Sequence, residues 1–196
     1  NNQPVSVKYL HHAKKAGTRI VSINAVREKG LDHYWIPSMP SSAVFGSKLS
    51  DDFIQVRVGG DIALMNGVLK KLIEWDALDH EYIEAHTEGF DALKETLAEQ
   101  NMGELLEKSG VSMEQLDWLA TLVARAKTMV TVYSMGLTQH KFGTQNVMGV
   151  VNLHLAKGAI GKVKSGILPI RGHSGVQGGG ECGVSPGKYP GGFLVN

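Results

Sequence analysis

Three short β-branched runs constrain this chain most: "TRIVSIN" at 18–24, "FIQVRV" at 53–58 and "TMVTVYSM" at 128–135. Each reads as a strand ending in a polar or glycine-bearing loop, the first as a buried one. Between and around them lie helical patterns. Residues 7–16 form a short helix stopped by Gly17, a C′ glycine. Gly59 and Gly60 lead to Asp61 in the N-cap place of a helix reaching about Trp75, with Ile62, Met65, Leu69 and Leu72 on one apolar face. Residues 144–158 are amphipathic, with Val147, Val151 and Leu155 in register, and close at Gly158. "SGILPIRG" is a last short strand or extended segment. Helix–strand–strand–helix, a helical insert, then strand–helix–strand argues an α/β domain with a mostly parallel sheet.

The insert is acidic. Residues 74–117 hold thirteen Asp and Glu against two Lys, whereas 118–196 hold eight Lys and Arg against the single acid Glu181. Within the insert Ser112 and Gln115 form a capping box for a helix to about Ala126. The plain reading of this asymmetry is a solvated acidic face beside a basic loop region. The sharper one is a basic, glycine-rich end that receives an anionic ligand.

No apolar run approaches the roughly 18–20 residues that span a bilayer, and the N-terminal stretch has no signal-peptide core. Membrane insertion and nucleic-acid binding are not expected. The lone Cys182 rules out an internal disulfide framework or a multi-cysteine metal site in these residues, and suits a cytoplasmic protein.

In parallel sheets, ligands sit beyond the carboxyl ends of the strands. Asn24 stands at one such end with Arg27 three residues on; an amide there can bond a nucleotide and an arginine can pair with phosphate, or both can be ordinary turn residues. Asp61 is either a helix cap or a carboxylate that accepts two bonds from a guanine edge. In "SMGLTQH" Gly136 permits close backbone approach, and Gln139 and His140 offer polar contacts before a helix N-terminus. That loop holds no dinucleotide fingerprint and no phosphate-loop motif. "RGHSGVQGGGECG", 171–183, holds six glycines, too many for stable regular structure, and its released backbone N–H groups need partners. His11, His12, His80, His86 and His154 lie on helical stretches without metal-ligand spacing.

Taken in order, "VGGDIALMNGVLKKLIE", "LDHEYIEAHTEGFDALKE", "YSMGLTQHKFGTQNV" and "KGAIGKVKSGILPIRGHSGVQGGGECG" resemble the molybdopterin oxidoreductases, formate-dehydrogenase-like alpha subunits above all. The resemblance implies a Rossmann-like three-layer domain over 1–164 that grips molybdopterin guanine dinucleotide, and a glycine-rich active-site segment over 165–196, poorly ordered when isolated. It implies molybdenum or tungsten as the metal, with its ligand outside this chain, and an iron–sulfur cluster elsewhere in the parent. Asn24 and Arg27 would face the nucleotide end and Asp61 would read guanine. Met135, Gly136 and Gln139 would lie along the pterin and pyrophosphate. Arg171 would stand near the metal as a catalytic cation, with His173, Ser174 and Gln177 lining the same pocket. His173 stands where formate dehydrogenases carry glutamine, so formate is not implied as substrate. "NAV" replaces the Asp-Pro-Arg that many relatives carry after the first strand. The expected partners are the remaining domains of one polypeptide, a small-molecule substrate and an electron-transfer subunit. The alternative is a stand-alone Rossmann-like nucleotide-binding or regulatory module without redox activity.

Overall fold

The computed structural model describes residues 4–36, 40–173, 175–183, 187, 189, 193 and 194; Ser174 lies outside them. The chain opens with α1 (Pro4–Lys15). Gly17 at φ +92° turns it back, as the reading of a C′ glycine requires. β1 (Val21–Asn24) follows, then two short helices, α2 (Lys29–Asp32) and α3 (Pro40–Phe45), and β2 (Asp52–Gln55). The acidic region lies between α4 (Asp61–Glu74) and β3, as α5 (His80–His86), α6 (Phe90–Glu99), α7 (Met102–Ser109) and α8 (Met113–Arg125). β3 (Val130–Tyr133) leads through a single turn, α9 (Met135–Thr138), into α10 (Gly143–Ala156), then β4 (Gly166–Pro169) and α11 (Val176–Glu181). Among the described residues no helix is long and apolar enough to cross a membrane.

The core sits where α4 and α8 cover one face of β1 and β2. Leu64, Val68 and Leu72 of α4 and Leu116, Leu119, Ala120 and Val123 of α8 close over Ile54 and Val56, with Val21 and Met129 at its margin. Leu72 is fully buried. Truncating it to Ala would cost about 2–5 kcal/mol, the transfer loss plus the cavity left behind. The α8 capping box forms as read: Gln115 N donates to Ser112 Oγ at 3.2 Å, and Ser112 N donates to Gln115 Oε1 at 3.0 Å. α1 and α2 share a smaller cluster of Val7, Ile36 and Leu49 with Leu10 and Leu31. An ion pair at 2.7 Å from Lys14 to Asp51 ties α1 to the start of β2. Burial pushes the Asp51 carboxyl up, but the Lys14 ammonium, the Ile20 N–H and Arg19 together outweigh it and hold the group below its ordinary value.

The strands are parallel, but among the described residues they form two pairs rather than one sheet. β1 pairs with β2 from Val21↔Asp52 to Asn24↔Gln55, and β3 with β4 from Val130↔Gly166 to Tyr133↔Pro169. Four readings need correction. The first strand is only half-buried, with Ile23 44% exposed. Asp61 is the first residue of α4, not its cap; Gly60 caps it, and its close seat against the Lys108 carbonyl oxygen leaves no room for a Cβ. The buried face of α10 is Gly143, Asn146, Gly149, Val150 and His154, whereas Val147, Val151 and Leu155 are half-buried. The reason is close packing: a Cβ on Gly149 would stand 3.3 Å from Met65 Sδ of α4, so small residues rather than large ones face the neighbouring helix. Finally, the glycines of 178–180 lie within α11, so their number does not prevent a short helix.

Candidate functional site

Each strand pair is parallel, so its two carboxyl ends lie together, and the loops that follow them carry the residues singled out from the sequence. After β2 the chain is clamped by α7. Arg57 N donates to Ser109 O at 2.8 Å and Arg57 Nη1 to Glu107 O at 2.7 Å. Gly59, at φ +80°, completes the turn. This delivers Asp61 to the N-terminus of α4, where the unpaired N–H groups favour a negative charge. Its carboxylate is half-buried and is paired with no other side chain by a hydrogen bond or ion pair among the described residues. Burial pushes it up from the ordinary carboxylate value, against its own backbone N–H and the imidazole of His140.

His140 belongs to the loop after β3, so this electrostatic contact joins two strand ends. That loop is built tightly at one point and open at another. A Cβ on Gly143 would stand 2.0 Å from the Thr138 carbonyl oxygen, so the start of α10 packs against α9 through bare backbone. A Cβ on Gly136 would meet nothing within 4 Å among the described residues. Gly136, Met135 and Gln139 are exposed, and Gln139 N donates to Met135 O at 2.8 Å to close the turn. Asn146, fully buried in α10, donates from Nδ2 to Leu137 O at 2.9 Å and also contacts the His140 ring; its Oδ1 is buried without a partner among the described residues.

The segment after β4 meets the same loop. Ser134 Oγ donates to Ile170 O at 2.6 Å, and a Cβ on Gly172 would come 3.6 Å from Met135 Cε. Arg171 and His173 flank Gly172 and are exposed. Arg171 has no hydrogen bond or ion pair among the described residues. One surface therefore carries Met135, Gly136 and Gln139 beside Arg171 and His173, with Asp61 linked to it through His140.

Three of the proposed residues sit apart. Asn24 and Arg27 line a groove with Ser22, Glu28, Asp52 and Phe53. Both ends of the Asn24 amide are engaged within its own loop, Oδ1 by Ala25 N at 2.8 Å and Nδ2 by Glu28 Oε1 at 3.3 Å. The Arg27 guanidinium lies 5.5 Å from the Phe53 ring centroid and 3.5 Å from Asp32 Oδ1. With those carboxylates nearby, the groove is poorly suited to a phosphate. Gln177, on α11, donates to Glu181 Oε1 at 3.3 Å. Among the described residues no group of three or more His, Cys, Asp or Glu is placed to hold a metal ion.

His140 and Asn146 are the residues that the choice of site residues passed over. The signal for Asn146 was a polar residue four positions before Val150 and eight before His154, on a helix whose buried face it shares.

No protein-family model matches the chain. It is 38% identical over 196 residues to Protein YdeP of Escherichia coli K12, a match covering 94% of this chain and 26% of that protein. It is 32% identical over 201 residues to the uncharacterized oxidoreductase Rv2900c of Mycobacterium tuberculosis, covering 99% and 26%. It is 28% identical over 188 residues to the F420-dependent formate dehydrogenase 2 subunit alpha of Methanococcus maripaludis, covering 96% and 25%. Among solved structures, acetylene hydratase from Pelobacter acetylenicus superposes with a TM-score of 0.68 at 19% identity, over 81% of this chain and 20% of that one. The chain thus spans about a quarter of the length of the curated relatives it matches.

Proposed function

This chain resembles one internal domain of the formate-dehydrogenase-like molybdopterin oxidoreductases, and from that premise we propose that it is a cofactor-binding domain of a molybdenum- or tungsten-dependent oxidoreductase. The group it would grip is molybdopterin guanine dinucleotide, in a Rossmann-like manner, beyond the carboxyl ends of the strands. What supports this reading is that Asp61, Gly136 and Arg171 each follow the carboxyl end of a strand, β2, β3 and β4 in turn, with open backbone at Gly136 and no hydrogen bond or ion pair at Arg171 among the described residues.

The residues present fit that group at most points. Asp61, half-buried and without a side-chain partner, would accept from the N1–H and exocyclic amine of guanine; those donors replace the water that burial removes. Gly136 presents backbone where a pterin or pyrophosphate can approach without meeting a side chain, and Met135 and Gln139 flank it. Arg171, exposed and without a hydrogen bond or ion pair among the described residues, would orient an anionic substrate or stabilise developing negative charge. His173 would line the same pocket. When bound, the cofactor's metal centre supplies two-electron redox chemistry, which the protein only positions and tunes. Asn24 does not fit as a ligand contact, because its own loop uses both ends of its amide.

In the full-length polypeptide, Asp61→Ala should lower the guanine nucleotide released on acid treatment by roughly tenfold, the loss of a charge-assisted pair of bonds. Unchanged guanine content would remove Asp61 from the site.

A further inference from the structure

We propose that the cleft at the amino ends of β3 and β4 binds a phosphate-type oxyanion, at a site separate from the candidate cofactor surface. The cleft has a volume of about 210 Å³, opens to solvent and adjoins the ends of α8 and α10. Lys127, Lys157 and Lys162 line it with the hydroxyl residues Thr128 and Ser165, and no carboxylate does so among the described residues. The sequence around it has the same sign, since no Asp or Glu stands between Asp117 and Glu181. The strands are parallel, and the candidate site lies past their other ends. At roughly 3.3 Å per residue the two places are about 15 Å apart.

The fold sets the donors in place. Met129 N donates to Ser165 Oγ at 3.1 Å and Gly166 N to Met129 O at 2.9 Å, which ties the entries of the two strands together. Ser165 Oγ accepts in that bond, so its own O–H remains to donate. Gly161, at φ +76°, bends the loop that carries Lys162. Lys157 directly follows α10 and spends two of its three N–H bonds on carbonyl oxygens, Ala77 O at 3.0 Å and Ala124 O at 3.2 Å. It thereby offsets the partial negative charge at the end of α8 and keeps one N–H in hand. Lys127 and Lys162 have no hydrogen bond or ion pair among the described residues.

Charge favours an anion there. Burial lowers the Lys157 pKa from its ordinary value; the Asp79 carboxylate opposes this and the Lys162 ammonium adds to it. Asp79 caps α5, accepting from Tyr82 N at 3.1 Å, and does not line the cleft. An anion between Lys157 and Lys162 removes their mutual repulsion, and neither Lys127 nor Lys162 has to break a pair to meet it. Lysines that only solubilise a surface stand out in water, whereas Lys157 and Ser165 are half-buried. A tetrahedral oxyanion presents acceptors to ammonium and hydroxyl donors at once, either as free phosphate or as the end of a phosphomonoester.

The test is calorimetric titration of the full-length protein with inorganic phosphate at constant ionic strength, which does not depend on the cofactor reading. Wild type is expected to bind with a Kd of about 1 mM or tighter. The double variant Lys127→Gln, Lys162→Gln changes two exposed side chains and should bind at least about tenfold more weakly. Arg171→Ala, at the candidate cofactor surface, should bind phosphate as wild type does. Glycerol 2-phosphate that competes with phosphate identifies a phosphomonoester ligand, and one that does not identifies the free ion; both outcomes uphold the site. Equal titrations for wild type and the double variant would overturn the proposal. So would loss of binding in Arg171→Ala alone, which would move the anion to the candidate cofactor surface. An equal response to matched sodium chloride would reduce the effect to screening and overturn it as well.

Discussion

The imidazole of His140 is held against the fully buried amide of Asn146, whose Nδ2 also donates to the Leu137 carbonyl at 2.9 Å. One side chain of α10 thus contacts both the one-turn helix after β3 and the histidine whose charge acts on Asp61. Asn146→Ala leaves the Leu137 carbonyl without that donor. We expect a loss of about 1–3 kcal/mol, the cost of a buried acceptor left unmatched. Asn146→Asp should cost more, because it sets a carboxylate against that carbonyl. Urea unfolding of the full-length protein measures both; equal midpoints for wild type and Asn146→Ala would show that the amide does not hold the loop.

Two glycines in this loop should separate stability from binding. Gly143→Ala forces a methyl onto the Thr138 carbonyl and should cost about 2 kcal/mol or more through displacement of α9. Gly136→Ala meets nothing within 4 Å and should leave the midpoint within about 0.5 kcal/mol of wild type. The same Gly136 variant should nevertheless retain several-fold less metal and guanine nucleotide, because the methyl occupies the surface where the cofactor is proposed to lie. Full cofactor content in Gly136→Ala would argue that nothing approaches the backbone there.

His154 supplies a pH dependence. It is fully buried on α10, with Nε2 2.7 Å from Thr131 Oγ1. Burial lowers its pKa below the ordinary value of about 6.5, partly offset by a backbone bond at Ala159. The folded state therefore prefers neutral His154. The stability this contributes is complete above the unfolded pKa and is lost as pH falls from about 6.5 through the lowered folded value. The thermal midpoint should fall over that window, and His154→Gln should flatten the slope while lowering the midpoint at pH 8. A variant with the same slope as wild type would assign the acid sensitivity elsewhere.

Much of the architecture was legible because it depends on local chemistry. The β-branched runs became β1, β2 and β3, Gly17 took the left-handed turn, and Ser112 and Gln115 closed the capping box. The short helices α2, α3 and α9 were not legible, since four to six residues carry no usable period. The site divided in the same way. That Asp61 and Gly136 stand past strand ends was legible from the order of the elements. The engagement of Asn24 by Glu28 could not be read, because a turn decides which neighbouring polar group its amide faces. Nor could the link between Asp61 and His140, which depends on how two separate strand pairs share one helical layer.

Arg171 should behave as a functional rather than a structural residue. Exposed and without a partner among the described residues, it can be replaced by Ala with a stability change within about 0.5 kcal/mol. If it stabilises charge at the reacting centre, turnover of the full-length enzyme should fall by about a hundredfold or more, with cofactor content unchanged. A variant that loses cofactor and turnover together would place Arg171 in cofactor binding instead.

The most direct measurement is the metal and guanine nucleotide content of the full-length protein, purified from cells able to make the cofactor. The account predicts molybdenum or tungsten together with about two GMP per metal after acid release, as a paired dinucleotide cofactor requires. Protein that is folded but carries neither metal nor GMP would contradict it, and would favour a nucleotide-binding module without redox activity.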